Sequence, residues 1–277
     1  MKDKILVFIP CYNCEKQIVR VLGQLDKRAL SFIDRVLIVN NRSTDNTEQA
    51  AAEYLARHKE IPAVILRNEH NYNLGGSHKV AFEYAIQNGF DYVLILHGDD
   101  QANFRDIIPV LRSKKYRGYD CTFGARFKKG GSPFRKDPDL IGYSPLRIWG
   151  NYVFNDLFSL VCKKPVYDLG SGLNIYKTEP LKSRYYLKFP DTLYFNNVFL
   201  MYQCHTKARI MYFPITWREM DQVSNNKLIS FSFSLMGLLA KYAKDPADFL
   251  ASDMRGTAYE SYPSETVYSN LPDTEEV

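Results

Sequence analysis

The chain is expected to fold as an α/β protein with a mostly parallel sheet covered by helices on both faces, and three observations lead there. Over residues 1–110, short apolar runs alternate with helical patterns at the spacing of βαβ units. The connections are short, so successive strands return in the same direction. The apolar run in DYVLILHGDDQ, residues 91–101, breaks directly into a glycine and two adjacent carboxylates. That break puts acidic oxygens at the carboxyl end of a strand, where open α/β sheets bind ligands.

The elements follow in order. Residues 5–9, ILVFI, read as a strand ended by Pro10, and residues 15–26 read as a helix. Residues 36–39 are the second strand; in the loop 40–46, Asp45 can cap the next helix with Glu48 three residues on. That helix is rich in alanine and runs to about His58. Residues 63–67 form the third strand, followed by Gly75 and Gly76, a helix to about Asn88, and the fourth strand at 92–96. Farther on, residues 121–125, 173–176 and 208–213 read as strands and 146–161 as a helix. Residues 128–141, rich in Gly, Pro and charge, read as a loop able to close over a site. The organisation expected is a domain over 1–228, with a ligand-binding half at 1–110 and a second half at 111–228. An amphipathic helical segment at 229–254 and a weakly ordered acidic tail at 255–277 complete it.

Composition bounds the class. With 277 residues, 45% hydrophobic and 24% charged, the chain is globular and long enough for a sizeable core. No apolar run reaches the ~18–20 residues of a membrane span, and no signal-type leader opens the sequence, so a cytoplasmic protein is expected. Five cysteines, at 11, 14, 121, 162 and 204, fit free thiols in a reducing compartment. The Cys11/Cys14 pair has no second pair at zinc spacing, which disfavours a metal or redox role. From Asp245 onward eight acidic residues face one arginine, a net of −7 that leaves +12 on residues 1–244 of a chain whose total is +5. The basic excess gathers between Arg112 and Lys136, with Lys163 and Lys164 beyond. Such a run is a solvated face or a surface for phosphate-bearing ligands and anionic lipid. No nucleic-acid-binding motif accompanies it, so nucleic acid is not expected as a partner.

Asp99 and Asp100 are suited to holding a hard divalent cation, which would neutralise a diphosphate; a solvated turn capping the next helix would use the same residues. Their neighbours carry more. IPCYN at 9–13, VNNRSTDNT at 39–47, NYNLGG at 71–76 and HGDDQ at 97–101 resemble, in order and spacing, the N-terminal half of family 2 glycosyltransferases with the GT-A fold. FGARFKKG at 123–130, a helix beginning near Arg147 with Asn151, DLGSGLNIYKTEPL at 168–181 and FPITWREMDQVSNNK at 213–227 are similar to the dolichyl- and polyprenyl-phosphate sugar synthases of that family.

The resemblance implies a nucleotide-sugar site formed by Pro10, Tyr12, Asn13, Asn40, Asn41, Gly75, Gly76, Lys79, His97, Gly98, Asp99 and Asp100. Pro10 and Tyr12 would flank the base. Asn41 stands where the family usually has an aspartate reading base and ribose; an amide keeps the acceptor and adds a donor. The family's Asp-x-Asp appears as His97-Gly98-Asp99, so a Mg²⁺ or Mn²⁺ would be held by Asp99 and Gln101, with His97 either a third contact or a structural histidine. Arg126 matches an arginine used on phosphates, and Arg126, Arg147, Arg218 and Lys227 occupy positions for an acceptor phosphate. Asp168 and Asp191 are the candidate general bases, needed for a hydroxyl acceptor and dispensable for an ionised phosphate.

The function expected is a metal-dependent inverting hexosyltransferase of cell-envelope polysaccharide synthesis, moving sugar from a UDP- or GDP-sugar to a polyprenyl phosphate or other lipid-linked acceptor. It would work as a peripheral protein on anionic membrane, with a homo-oligomer as an option left open. Two alternatives stand beside it: extension of a capsule or O-antigen saccharide at a sugar hydroxyl, and an inert nucleotide-sugar binder in which Asn40, Asn41 and His97 replace acids. A sugar nucleotidyltransferase would need an N-terminal glycine-rich arginine loop, which the sequence lacks.

Overall fold

Residues 2–132, 145–218 and 228–272 are described by the structure, a computed structural model. Among these residues eight strands form one sheet: β1 Ile5–Cys11, β2 Arg35–Asn40, β3 Ala63–Asn68, β4 Tyr92–Leu96, β5 Cys121–Ala125, β6 Leu173–Lys177, β7 Ile210–Pro214 and β8 Ser264–Ser269. The order across the sheet is β7-β5-β6-β4-β1-β2-β3-β8. The run β3-β2-β1-β4 is parallel, β6 is antiparallel to both β4 and β5, β7 pairs parallel with β5, and β8 closes the far edge antiparallel to β3. The helices are α1 Glu15–Gly23, α2 Lys27–Leu30, α3 Thr47–Arg57, α4 Asn73–Gln87, α5 Ile108–Ser113, α6 Pro145–Cys162, α7 Thr178–Leu181, α8 Phe195–His205, α9 Leu228–Lys244 and α10 Pro246–Ala251.

Each central strand is buried on both faces, as a sheet covered by helices on either side requires. Alternate residues feed two cores. Ile5, Val7, Ile9, Val36, Ile38 and Leu94 pack with Ile18, Val21, Leu22 and Leu55 of α1 and α3. Leu6, Phe8, Leu37, Val93 and Ile95 pack on the other face with Phe82 of α4 and Phe195 and Phe199 of α8. The second core is aromatic: Phe82, Tyr176, Tyr186, Phe195 and Phe199 meet in edge-on and tilted pairs.

Several expectations need correction. β1 does not end before Pro10: its pairing with β4 stops at Phe8, while pairing with β2 continues to Cys11 opposite Asn40. The helix expected over 15–26 ends at Gly23, and Asp26 starts α2 by accepting hydrogen bonds from the Arg28 and Ala29 amides at 3.0 and 2.9 Å. The acidic tail expected to be weakly ordered contains β8. Arg67 pairs with Glu265, and the Asn270 side chain accepts from the Ala63 amide and donates to the Ile61 carbonyl, both at 2.8 Å. The tail's polarity is accommodated because an edge strand keeps one side in water. The expected closing loop falls mostly on residues 133–144, outside the described residues. Among those described, no helix is long and apolar enough to cross a membrane.

Candidate active site

β1 is flanked by β2 on one side and β4 on the other, so the chain's direction of travel reverses there and a crevice opens at the strands' carboxyl ends. A cleft of about 380 Å³ occupies it, lined by Pro10, Cys11, Tyr12 and Cys14 after β1, Asn41 after β2, Asn71, Asn73, Leu74 and Ser77 at the start of α4, His97, Gly98 and Asp99 after β4, and Leu193. Gly98 is required by the close approach of two strand ends: its amide donates to the Pro10 carbonyl at 3.2 Å, and a Cβ there would lie 2.8 Å from that oxygen and from Cys11 Sγ. Cys11 and Cys14 are buried, and the hydrogen bond the Cys11 thiol makes to Cys14, together with burial, holds that thiol well above its ordinary pKa, so it stays protonated. All five cysteines are free thiols in the structure.

At the floor, His97 Nδ1 stands 4.0 Å from Asp99 Oδ2, and the Gln101 amide donates to Asp99 Oδ1 at 3.1 Å. Burial depresses the His97 pKa, Asp99 pulls it up, and Arg126 pushes it down, which keeps the imidazole neutral at pH 7. Burial raises the Asp99 pKa, with His97 acting in the opposite sense. The described residues contain no group of three or more His, Cys, Asp or Glu able to enclose a metal. One carboxylate with a neighbouring amide and imidazole suits a hard cation that takes the rest of its oxygen shell from a diphosphate and water.

The remaining predicted residues divide. Pro10, Tyr12, Asn41, His97, Gly98 and Asp99 meet in the cleft. Asn41, however, does not present its whole amide: Oδ1 accepts from Asn68 Nδ2 at 2.9 Å and the Tyr72 amide at 2.8 Å, while Nδ2 donates to Asn71 at 2.7 Å. Asn40 is turned away, bonded to Glu48 and the Ser43 amide, and Asn13 braces the same loop through the Thr44 amide. Gly75 and Gly76 are packed under the cleft against the Asp191 carbonyl.

Asp100 is not a ligand-facing carboxylate. It is 1% exposed, with Arg20 Nε at 2.7 Å, Gln24 Nε2 at 2.8 Å and Arg218 Nη2 at 2.5 Å. Arg218 is thereby committed to Asp100 rather than presented to an acceptor. Neither candidate base is available in this arrangement: Asp168 is bonded to Arg126 Nε and Nη2 at 2.8 and 2.6 Å, and Asp191 to Lys79 at 2.7 Å. Lys79 is wholly buried by that pairing and does not reach the cleft. Lys227 lies outside the described residues. Asn71, Asn73, Ser77 and Leu193 were missed as lining residues; NYNLGG signalled the first two, whereas Leu193 is brought in by a segment with no local signature.

Arg126, whose charge is felt by His97 in the cleft, lines a second, larger cavity of about 700 Å³ between α6 and α9. Arg126 and Arg147 share its wall with Leu146, Trp149, Phe154, Phe231, Phe233 and Met236. Its apolar groups are open to solvent, Leu146 and Phe233 at 75% and Trp149 at 63%.

With this geometry in place, comparison with known proteins is informative. The family model "Glycosyl transferase family 2" matches residues 6–184. Two Methanocaldococcus jannaschii proteins, uncharacterized proteins MJ0544 and MJ1222, are each 27% identical, over 68% of this chain and 76% of the first protein, and over 65% and 68% for the second. The M. tuberculosis glucosyl-3-phosphoglycerate synthase in complex with UDP superposes with a TM-score of 0.57 at 14% identity, covering 87% of this chain and 80% of that one. The mannosyltransferase PcManGT of Pyrobaculum calidifontis, in complex with GDP-Man and Mn²⁺, gives 0.56 at 14% identity over 90% and 65%. S. aureus TarS 1–349 with UDP-GlcNAc gives 0.54 at 22% identity over 86% and 66%. At these identities the superpositions establish the GT-A fold, and the matched length establishes the family: this chain belongs to glycosyl transferase family 2.

Proposed function

We propose that the protein transfers a sugar, with inversion, from a UDP- or GDP-sugar to the phosphate of a polyprenyl phosphate at an anionic membrane surface. The observation that carries this is the cavity between α6 and α9, where two arginines share a wall with solvent-open aromatic and aliphatic groups. A ligand with an anionic head and a long apolar tail matches both halves, and leaving so much apolar surface exposed is otherwise unfavourable.

The donor would lie in the cleft with its base beside Pro10 and Tyr12. Arg126, oriented by Asp168, and Arg147 would supply positive charge for the acceptor phosphate. A phosphate oxygen attacks the anomeric carbon, the bond from that carbon to the nucleoside diphosphate breaks, and the diphosphate departs with the electron pair. The ionised phosphate needs no base; this agrees with Asp168 and Asp191 being committed to cations. Asp99 and Gln101 would hold Mg²⁺ or Mn²⁺, which when bound neutralises charge on the departing diphosphate.

The test is a transfer assay with UDP- and GDP-sugars, Mn²⁺ and polyprenyl phosphates of two chain lengths. A sugar-phosphate-lipid product is expected, and Trp149→Ser or Phe233→Ser should lower kcat/KM about tenfold for the long acceptor, as loss of an apolar contact predicts, with little effect on the shortest one. Transfer to a free saccharide hydroxyl and to no lipid phosphate would overturn the proposal.

A further inference from the structure

The last part of the described chain, residues 252–271, lies beyond the segment matched by the family and wraps back over the donor half. The Met254 amide donates to the Lys188 carbonyl at 2.8 Å, the Glu69 amide to the Pro263 carbonyl at 3.0 Å, and β8 then pairs with β3. Beneath this strap lies a buried cation. Lys79 Nζ, on α4, donates to the Phe189 carbonyl and Asp191 Oδ1, each at 2.7 Å, and to the Tyr262 hydroxyl at 3.0 Å. The Tyr262 hydroxyl in turn donates to Asp191 Oδ1 at 2.8 Å, so one strap residue bridges both members of the ion pair.

That pair is anchored to the cleft. The Asp191 carbonyl accepts from the Gly75 amide at 2.6 Å and the Gly76 amide at 3.2 Å, in the first turn of α4. The fit is tight enough that a Cβ on Gly75 would come within 2.4 Å of the Pro190 carbonyl. Two residues after Asp191, Leu193 lines the cleft together with Asn73 and Leu74 of that same turn. Lys79 and Tyr262 both donate to Asp191 Oδ1, whereas Oδ2 is buried with no hydrogen-bond partner among the described residues; the carboxylate is therefore held through Oδ1, and Tyr262 supplies one of its two side-chain bonds from a distant stretch of chain.

We infer that Tyr262 is a positioning residue for donor binding: through Lys79 and Asp191 the C-terminal strap sets the wall of the nucleotide cleft formed by Leu193 and the start of α4. This rests on the donor-cleft assignment proposed above, and the experiment separates the two. Tyr262→Phe is compared with Asn270→Ala, which loosens the same strap at its other end, where Asn270 bonds to Ala63 and Ile61. Loss of the hydroxyl should weaken Mn²⁺-dependent binding of UDP or GDP about three- to tenfold and raise the donor KM in proportion, with kcat within about twofold. Amide exchange at Gly75 and Gly76 should quicken about tenfold. Asn270→Ala should lower Tm with neither effect. Equal losses of affinity in both variants, or unchanged exchange at Gly75 and Gly76 in Tyr262→Phe, would overturn the inference. If the wild-type protein binds neither nucleotide, the donor assignment fails, and the exchange measurement, which needs no donor, still decides whether Tyr262 sets this wall.

Discussion

Asp99 and Asp100 are neighbouring carboxylates with opposite surroundings. Asp99 faces the cleft beside His97, while Asp100, with a left-handed φ of 58°, turns back to gather Arg20, Gln24 and Arg218. Their substitutions should therefore separate binding from stability. Asp99→Asn is expected to abolish the Mn²⁺ dependence of nucleoside diphosphate binding with the fold intact, checked by calorimetry with and without chelator. Asp100→Asn should instead cost about 1–3 kcal/mol in urea unfolding, because it removes the charge that two partly exposed arginines share. Acidity gives a further check. Burial raises the Asp99 pKa above its ordinary 3.8, so the folded protein holds that proton more tightly than the unfolded chain. Its contribution to stability is then fully present below the unfolded value and is lost as pH rises through the folded one. In chelator, Asp99→Asn should thus raise Tm relative to wild type at pH 7, by a margin that narrows toward pH 4. The residue types at 97–101 were legible in the sequence, and the family resemblance singled out Asp99 for the metal; the burial of Asp100 among cations was not legible, since it depends on a backbone turn and on arginines 80 and more residues away.

At the scale of elements, strands with strong apolar patterns were legible and elements made by long-range contacts were not. β4 was expected over the residues it occupies, since YVLIL is buried throughout. α8 was missed: FNNVFLMYQCH has no clean polar face because all but three of its residues are buried, and a helix enclosed on every side loses the amphipathic period. Its importance is testable. Phe199 is 1% exposed among Phe82, Tyr176, Phe189 and Phe195, and Phe199→Ala should cost about 3–5 kcal/mol in denaturant unfolding. β8 was missed for a different reason. SETVYS is polar enough for a tail, and its pairing exists only because β3 would otherwise leave an open edge. α9 was anticipated as amphipathic, and it turns Leu235, Leu239 and Tyr242 inward while Phe233 and Met236 stay exposed.

At the scale of the whole molecule, the proposed function makes a prediction about lipid. If the protein works at an anionic membrane as proposed, the +12 carried by residues 1–244 and the open aromatic groups of α6 and α9 would both contribute to binding it. Flotation should recover the protein with anionic vesicles at low salt, and raising salt should release it, because exposed charges are screened beyond a Debye length of ~8 Å at physiological ionic strength. Recovery that ignores salt, or no recovery with anionic vesicles, would mean that the basic excess serves soluble ligands alone.

By itself the sequence determined the α/β class, the positions of the first four strands along the chain, the family resemblance and the group of residues brought to the strand ends around Pro10, Asn41 and Asp99. These are local facts: apolar period, turn residues and short motifs act within one βα unit. Tertiary structure alone decided how each polar side chain is used. Asp168 is held by Arg126, Asp191 by Lys79 and Tyr262, Asp100 by Arg218, and Asn41 by Asn68 and Tyr72. A carboxylate in a sequence is equally a base, a metal ligand or half of an ion pair. Which of these it becomes depends on partners that only the folded chain brings within about 3 Å, and on the burial that makes those partners obligatory.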